Sequence, residues 1–354
     1  MISSHTILHS VVAEDLEAIA SAPLEWECLA RKTFLITGAS GFLPAYMVET
    51  LLHLNDTHKL GCKVIAFVRN QEKGLARFSR HKERSDLRLL QGDIALQTAW
   101  PERCDFIVHA ASQASPKYYG SDPVGTMTAN ILGTFHLLNQ ARAWGSEGFL
   151  FFSSGEVYGQ VGGKQIPTKE TDYGYMDITN PRSCYAESKR AAETLGISYA
   201  AQYGVPFKVV RPFHTYGPCM ALDDGRVFAD LVRDVVFRRN LKLHSNGEAV
   251  RAFCYLSDAV RGFFTVLLRG SQATAYNVGN PSGALSIGQL ADLIASLRPD
   301  LHLKVERTHR PPTGYLCSPI SINCPNVDKL KSLGWLPTYS PREGFERTIR
   351  YFCE

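Results

Sequence analysis

Tyr185 and Lys189 stand four residues apart in SCYAESKRAAETL, and this pair is the clearest chemical signal in the chain. No proline follows Pro181 in the stretch, so it reads as a helix that sets positions i and i+4 on one face. A phenol above an ammonium surrenders its proton more readily, because the cation favours the phenolate. Such a tyrosinate can take a proton from a sugar hydroxyl while hydride leaves for a nicotinamide ring. Tyrosine and lysine also meet at this spacing by chance in many helices, so the pair gains meaning only from its surroundings.

Those surroundings alternate strand and helix from Lys32 onward. TFLITG (33–38) reads as a first strand that enters a glycine turn and a helix through YMVETLLHL. KVIAFVR (63–69), LRLLQGD (87–93) and DFIVHAAS (105–112) follow as strands, then a helix near Thr126–Ala143. GFLFFSS (148–154) is the fifth strand, and the Tyr185 helix leads to a sixth, FKVVRPF (207–213). Short apolar runs separated by helices predict a parallel sheet buried on both faces, a Rossmann-type doubly wound α/β fold. The polar, tyrosine-rich stretch 159–181 is expected to be an ordered loop beside the site.

After Pro218 the rhythm changes. DDGRVFADLVRDVVFRR reads as a basic amphipathic helix, and LSIGQLADLIASL, VDKLKSLGW and PREGFERTIRYF as short helices with long links. The expected organisation is a helical extension over 1–31, a cofactor domain over 32–213 plus about 253–281, and a smaller substrate lobe over 214–252 plus 282–354.

The first loop, Gly38-Ala-Ser40-Gly41-Phe42-Leu43-Pro44, leaves a strand and opens a helix. Gly38 permits the tight turn, and Gly41 lets the backbone approach a pyrophosphate at the helix N-terminus. Pro44 replaces a third glycine, tolerable in a first helical turn, and Ala45 can supply the close helix–sheet contact. At the end of the second strand Val68-Arg69-Asn70 holds no carboxylate for an adenosine 2′-hydroxyl. Arg69 can pair with a 2′-phosphate, favouring NADP+, or stack on adenine and discriminate nothing. Asp93 and Ile94, after the third strand, are placed to meet the adenine.

Composition narrows the class. The 354 residues are 45% hydrophobic and 20% charged, as in an ordinary soluble globular chain. A formal net charge of +4 gives no argument for a nucleic-acid partner. Nine scattered cysteines, with Cys317 to Cys324 as the closest spacing, match no zinc motif and read as free thiols of a reducing cytoplasm. No stretch approaches about 18 uninterrupted apolar residues, so no membrane span is expected, and the N-terminus lacks the basic region of a secretory signal. No metal site is expected.

The motifs TGASGF, GDI (92–94), HAAS (109–112), SSGEVYG (153–159), YAESK (185–189), RPFHTYGP (211–218) and RAFCYLSD (251–258), in this order, resemble the extended short-chain dehydrogenase/reductases, the nucleotide-sugar epimerase/dehydratase family. ASPKYYGSDPVGTMTANILGT and GPCMALDDGRV look most like UDP-glucuronate decarboxylases. The resemblance implies bound NAD+ and a catalytic set of Ser154, Tyr185 and Lys189, with Glu156 as a possible base at C5. It further implies Ala110, Ala111, Ser112, Asn130 and Pro212 around the cofactor. Ser115, Lys117, His214, Arg226, Val227 and Arg251 are implied on the nucleotide-diphosphate sugar. A homodimer built on helices 126–143 and 185–201 follows from the same resemblance.

Three departures stand out. Relatives place Ser, Thr or Asp immediately before the glutamate of EVYG, where this chain has Gly155. Decarboxylases carry an arginine where Asn323 falls, leaving Arg310 as a nearby substitute for holding a C6 carboxylate. His214 replaces the usual asparagine, either as an additional acid/base or as a bulkier hydrogen-bonding substitute. Epimerisation, dehydration and decarboxylation all remain open after C4 oxidation. A 4-ketosugar reductase or polyol dehydrogenase with exchangeable NADP(H) is the alternative, and a non-catalytic cofactor sensor a more distant one.

Overall fold

Strands as uniformly apolar as TFLIT and KVIAFV can be satisfied only in the middle of a sheet covered on both faces. The computed structural model, which describes residues 8–307 and 320–354, builds that sheet. Helix α1 (Ser10–Ala20) precedes β1 (Thr33–Thr37), α2 (Phe42–Thr57), β2 (Lys63–Val68), α3 (Gln71–Arg77), β3 (Leu87–Gln91) and β4 (Phe106–His109). Then come α4 (Pro116–Ser121), α5 (Pro123–Trp144), β5 (Gly148–Phe152), α6 (Cys184–Tyr203), β6 (Phe207–Pro212) and β7 (His214–Tyr216). Next are α7 (Val227–Val236), β8 (Leu241–Leu243), β9 (Val250–Tyr255), α8 (Leu256–Arg269), β10 (Thr274–Val278) and β11 (Ala284–Ser286). The last described elements are α9 (Ile287–Ser296), β12 (Val305–Arg307), β13 (Ile322–Asn323), α10 (Asp328–Lys331) and α11 (Pro341–Cys353).

Seven parallel strands lie in the order β10-β6-β5-β4-β1-β2-β3. The chain runs outward from β1 to β3, then restarts on the other side of β1 with β4. Ligands of such sheets bind where the winding reverses, outside the carboxyl ends of the two central strands. The loops at that point are 38–43 and 110–115.

The seventh strand, β10, is absent from the sequence reading. TAYNV carries threonine and asparagine among its five residues and lacks the apolar run that marks β1 or β2. The basic helix is also shorter than expected: α7 stops at Val236, and Arg238 adopts a φ of 54° just beyond it. VDKLKSLGW supplies only the single turn of α10. Arg310 and Cys317 lie outside the described residues.

A separate core buries Tyr216, Phe228, Leu231, Phe253 and Phe345 together. Helix α1 ties this core to the main one. Its Asp15, fully buried, accepts from Tyr255 Oη at 2.8 Å and Tyr46 Oη at 3.3 Å, and pairs with Arg347 Nη2 at 2.8 Å. Burial pushes the Asp15 carboxyl up to about 6 against the pull of Arg347 and the tyrosine hydroxyls. Tyr46 belongs to α2, Tyr255 ends β9, and Arg347 lies on α11.

The loop after β5 is ordered, as its composition suggested. Gln160 and Tyr175 form a bridge, and Arg211 at the end of β6 donates to the Glu170 carbonyl at 3.0 Å. The same guanidinium grips Glu193 of α6 through two bonds of 2.9 and 2.6 Å and donates to Tyr158 Oη at 2.8 Å. Tyr158 in turn donates to Asn277 Oδ1 of β10 at 2.5 Å.

Candidate active site

The glycine loop is built for close approach. Gly38 sits at φ 67°, and a Cβ there would come 2.8 Å from Ala111 Cα, so the loops after β1 and β4 touch backbone to backbone. Gly41 precedes α2 with no side chain capping the helix, which leaves its first N–H groups for a ligand. Ala45 is fully buried under the loop in place of the missing third glycine. Ser40, Phe42 and Leu43 line the same edge half-buried, and Arg69 and Asp93 lie exposed at the ends of β2 and β3. Asp93 Oδ1 accepts from Ala95 N at 2.9 Å, and Ile94 packs beneath, against Gly133.

Thr37 Oγ1 links the two loops, accepting from Ala111 N at 3.2 Å and meeting His109 Nδ1 at 2.8 Å. Burial and the neighbouring Lys189 hold the His109 imidazole far below its usual range. Ser112 Oγ and Asn130 Oδ1 are buried with no partner among the described residues. Buried polar atoms without partners are rare in a native interior. With the glycine cradle and the uncapped helix, they form a donor and acceptor set that fits a dinucleotide. Asn130 Nδ2 donates to Ser188 Oγ at 2.9 Å, which fixes α5 against α6 behind the site.

Tyr185 lies in the first turn of α6, 6% exposed, with its ring stacked on Tyr119 at 5.0 Å and 16°. Burial pushes its phenol above the ordinary value, and the neighbouring Ser154 hydroxyl and then the Arg226 guanidinium pull it back. Ser154 Oγ accepts from Glu156 N at 3.2 Å and caps the short turn after β5. Lys189 is buried one turn further on, donating to the Phe152 carbonyl at 2.6 Å. Its Nζ lies 5.9 Å from the centre of the Tyr185 ring. The Lys189 amine thus sits beneath the tyrosine ring, one turn along the same face of α6. Burial brings Lys189 itself down to about 7, with Glu193 holding it up.

Glu156 faces a cavity of about 300 Å³ lined also by Gln160, Tyr175, Asn180, Arg182 and Ala186. Its carboxylate pairs with Arg182 at 3.4 Å. Gly155 has a steric reason. A Cβ there would lie 3.1–3.2 Å from three atoms of the Phe213 ring, so the ring fills the space a larger residue would need.

On the opposite wall the two lobes meet through the expected substrate residues. Ser115 Oγ donates to the Asp224 carbonyl at 2.5 Å and Lys117 Nζ to the Asp223 carbonyl at 3.5 Å. Arg226, immediately before Val227 and α7, pairs with Asp224 at 3.2 Å and donates to the Ala114 carbonyl at 3.2 Å. Arg251 is committed to the carbonyls of Ile320 at 2.8 Å and Ser321 at 3.1 Å, while Asp258 pairs with Arg261 instead. Asn323 is its neighbour in the β9–β13 register, with its side chain buried. Pro212 closes β6 nearby, half-buried.

His214 opens β7, its Nδ1 buried with no partner among the described residues. Burial first, then Arg251 and Arg226, keep its imidazole far below the usual range. A ring disfavoured as a cation in this way is expected to serve as a hydrogen-bonding group. His214→Asn is accordingly expected to leave the shape of the rate profile unchanged between about pH 6 and 8. A limb that vanishes in the variant would reveal a titrating imidazole.

Sequence reasoning missed Arg182 and Tyr119. Arg182 stands just before α6, in a turn that no periodicity marks, and Tyr119 reaches Tyr185 only through the folding of α4.

A family profile described as "NAD dependent epimerase/dehydratase family" matches residues 34–279. The chain is similar to UDP-glucuronic acid decarboxylase 6 of Arabidopsis thaliana, 33% identical over 315 residues, 88% of this chain and 85% of that one. Among solved structures it is similar to UDP-glucose 4-epimerase from Thermotoga maritima, with a TM-score of 0.76 at 24% identity, over 90% of this chain and 98% of that one. It is also similar to dTDP-glucose 4,6-dehydratase from Bacillus anthracis, TM-score 0.75 at 22% identity, over 91% and 96% of the two chains. At such identities these two structures speak to the fold alone.

Proposed function

The chain belongs to the NAD dependent epimerase/dehydratase family, and we propose that it oxidises a nucleotide-diphosphate sugar at C4, acts on the resulting ketone at C5, and recovers the hydride. Bound NAD+ would supply the reversible hydride acceptor. Tyr185 takes the proton of the C4 hydroxyl, and Ser154 orients that hydroxyl. Lys189 holds the cofactor ribose, and Glu156 takes the C5 proton. Gly38, Ser40, Gly41, Phe42, Leu43, Ala110, Ala111, Ser112, Asn130 and Pro212 surround the dinucleotide, with Asp93 and Ile94 at its adenine. Ser115, Lys117, His214, Arg226, Val227 and Arg251 take the nucleotide diphosphate of the substrate.

One observation carries the reading: the Tyr185 phenol and the Lys189 amine are buried together on one face of α6, with Lys189 Nζ 5.9 Å from the tyrosine ring centre. NAD+ is the cofactor of this proposal, in keeping with the family's description, and the exposed Arg69 leaves NADP+ as the alternative. A panel of UDP, dTDP, GDP and CDP sugars, followed by product mass and proton NMR with each cofactor, tests it. Loss of water, loss of carbon dioxide or no change in mass identifies the net reaction. Net consumption of NADPH would replace it with the one-way reductase.

We further propose a homodimer in a reducing cytoplasm. Val124, Met127, Leu132 and Phe135 leave an apolar stripe exposed along α5, with Tyr203 exposed at the end of α6. The described cysteines are all free thiols, and no helix among the described residues is long and apolar enough to cross a membrane. Light scattering is expected to give a dimer at micromolar concentration and a monomer for Phe135→Arg; a monomeric parent protein would refute the assignment.

A further inference from the structure

Arg182 is fixed by its own turn. Its N–H donates to Asn180 Oδ1 at 3.0 Å, and Ser183 Oγ donates to the Asp177 carbonyl at 2.6 Å, immediately before α6 begins. Glu156 is fixed from the other side, its N–H on Ser154 Oγ at 3.2 Å. The two side chains thus meet from turns that also carry Tyr185 and Ser154, and both line the cavity. The guanidinium lies 5.9 Å above the Tyr119 ring, which stacks on Tyr185. Its Nε is buried with no partner among the described residues, so a donor remains after Glu156 is held. With side chains 16% and 23% exposed, the pair is sheltered yet open to solvent through the cavity.

We infer that Arg182 is a positioning residue, which keeps the Glu156 carboxylate aimed from this cavity at C5 of the oxidised sugar so that the C5 proton exchanges with solvent. The inference rests on the C4-oxidation reading above. Once C4 is a ketone, the C5–H bond breaks and its proton passes to a Glu156 oxygen. The electron pair of that bond moves into C4–C5, and the C4 oxygen takes the charge as an enolate. Return of a proton from Glu156 to C5 restores the ketone, and Glu156 re-equilibrates with water in the cavity between the two events. The ion pair fixes the direction of the carboxylate, and misdirection by about 1 Å costs such a step about 10²-fold.

The full-length protein with bound cofactor is given UDP-glucuronate, UDP-glucose and dTDP-glucose in D2O. Absorbance of the reduced nicotinamide reports C4 oxidation, and NMR reports deuterium at C5. Arg182→Met is expected to lower C5 exchange about 10²-fold while C4 oxidation changes less than about threefold; Arg182→Lys restores about tenfold of the loss. Glu156→Gln is expected to abolish exchange. Unchanged exchange in Arg182→Met overturns the inference. An equal fall in both rates does so too, since that marks a merely structural role. C4 oxidation without C5 deuteration in the parent protein overturns it and leaves the C4 reading intact, whereas no C4 oxidation with any of the three sugars removes both.

Discussion

Replacing Tyr185 by phenylalanine is expected to lower turnover of the nucleotide sugar about 10³-fold, the usual worth of a positioned general base. The change removes one oxygen and leaves the ring, so the stack on Tyr119 at 5.0 Å persists. Removing this one buried hydroxyl is expected to change stability by no more than about 1 kcal/mol. Cofactor affinity, held mainly by the glycine loop, should change little. Rates measured alongside a thermal melt and a cofactor titration separate these contributions. Turnover within about tenfold of the parent would mean that another group removes the proton, and the proposed chemistry would fall with it.

Arg211→Met is expected to be the most destabilising single substitution in the cofactor domain, by about 3–5 kcal/mol. The guanidinium is 3% exposed and makes four hydrogen bonds to Glu193, Tyr158 and the Glu170 carbonyl. Methionine fills much of the volume but abandons the Glu193 carboxylate in a dry interior, and that uncompensated charge dominates the cost. The double variant Arg211→Met/Glu193→Leu should recover a large part of the loss, because apolar pairs often replace buried ion pairs at little cost. Urea denaturation of both variants decides the matter. A loss below about 1 kcal/mol in the single variant would show that water reaches Glu193. The single variant should also loosen the loop after β5, since Glu170 and Tyr158 are both held there.

The parallel pairing of β1 to β6 was readable because each is a short apolar run between helices; their order in the sheet was not. The Tyr185 pair was readable because a helix converts a spacing of four into one face. β10 escaped because five residues of mixed polarity at a sheet edge carry no periodic signal. Arg182 escaped because its partner, Glu156, is brought to it by the fold and by no sequence spacing. The substitution at Gly155 was visible, but its cause was not: the Phe213 ring arrives from the link between β6 and β7. His214 was ambiguous for a related reason. Its charge depends on burial and on two arginines from separate elements, which a linear reading cannot assemble.

The aspartate of α1 has a mechanical consequence. Tyr46, Tyr255 and Arg347 converge on a buried carboxylate at Asp15, whereas Ser115, Lys117 and Arg226 reach only a few carbonyls and one partly exposed carboxylate. The Asp15 knot is therefore expected to outlast those lighter latches when the protein is heated or loosened by denaturant.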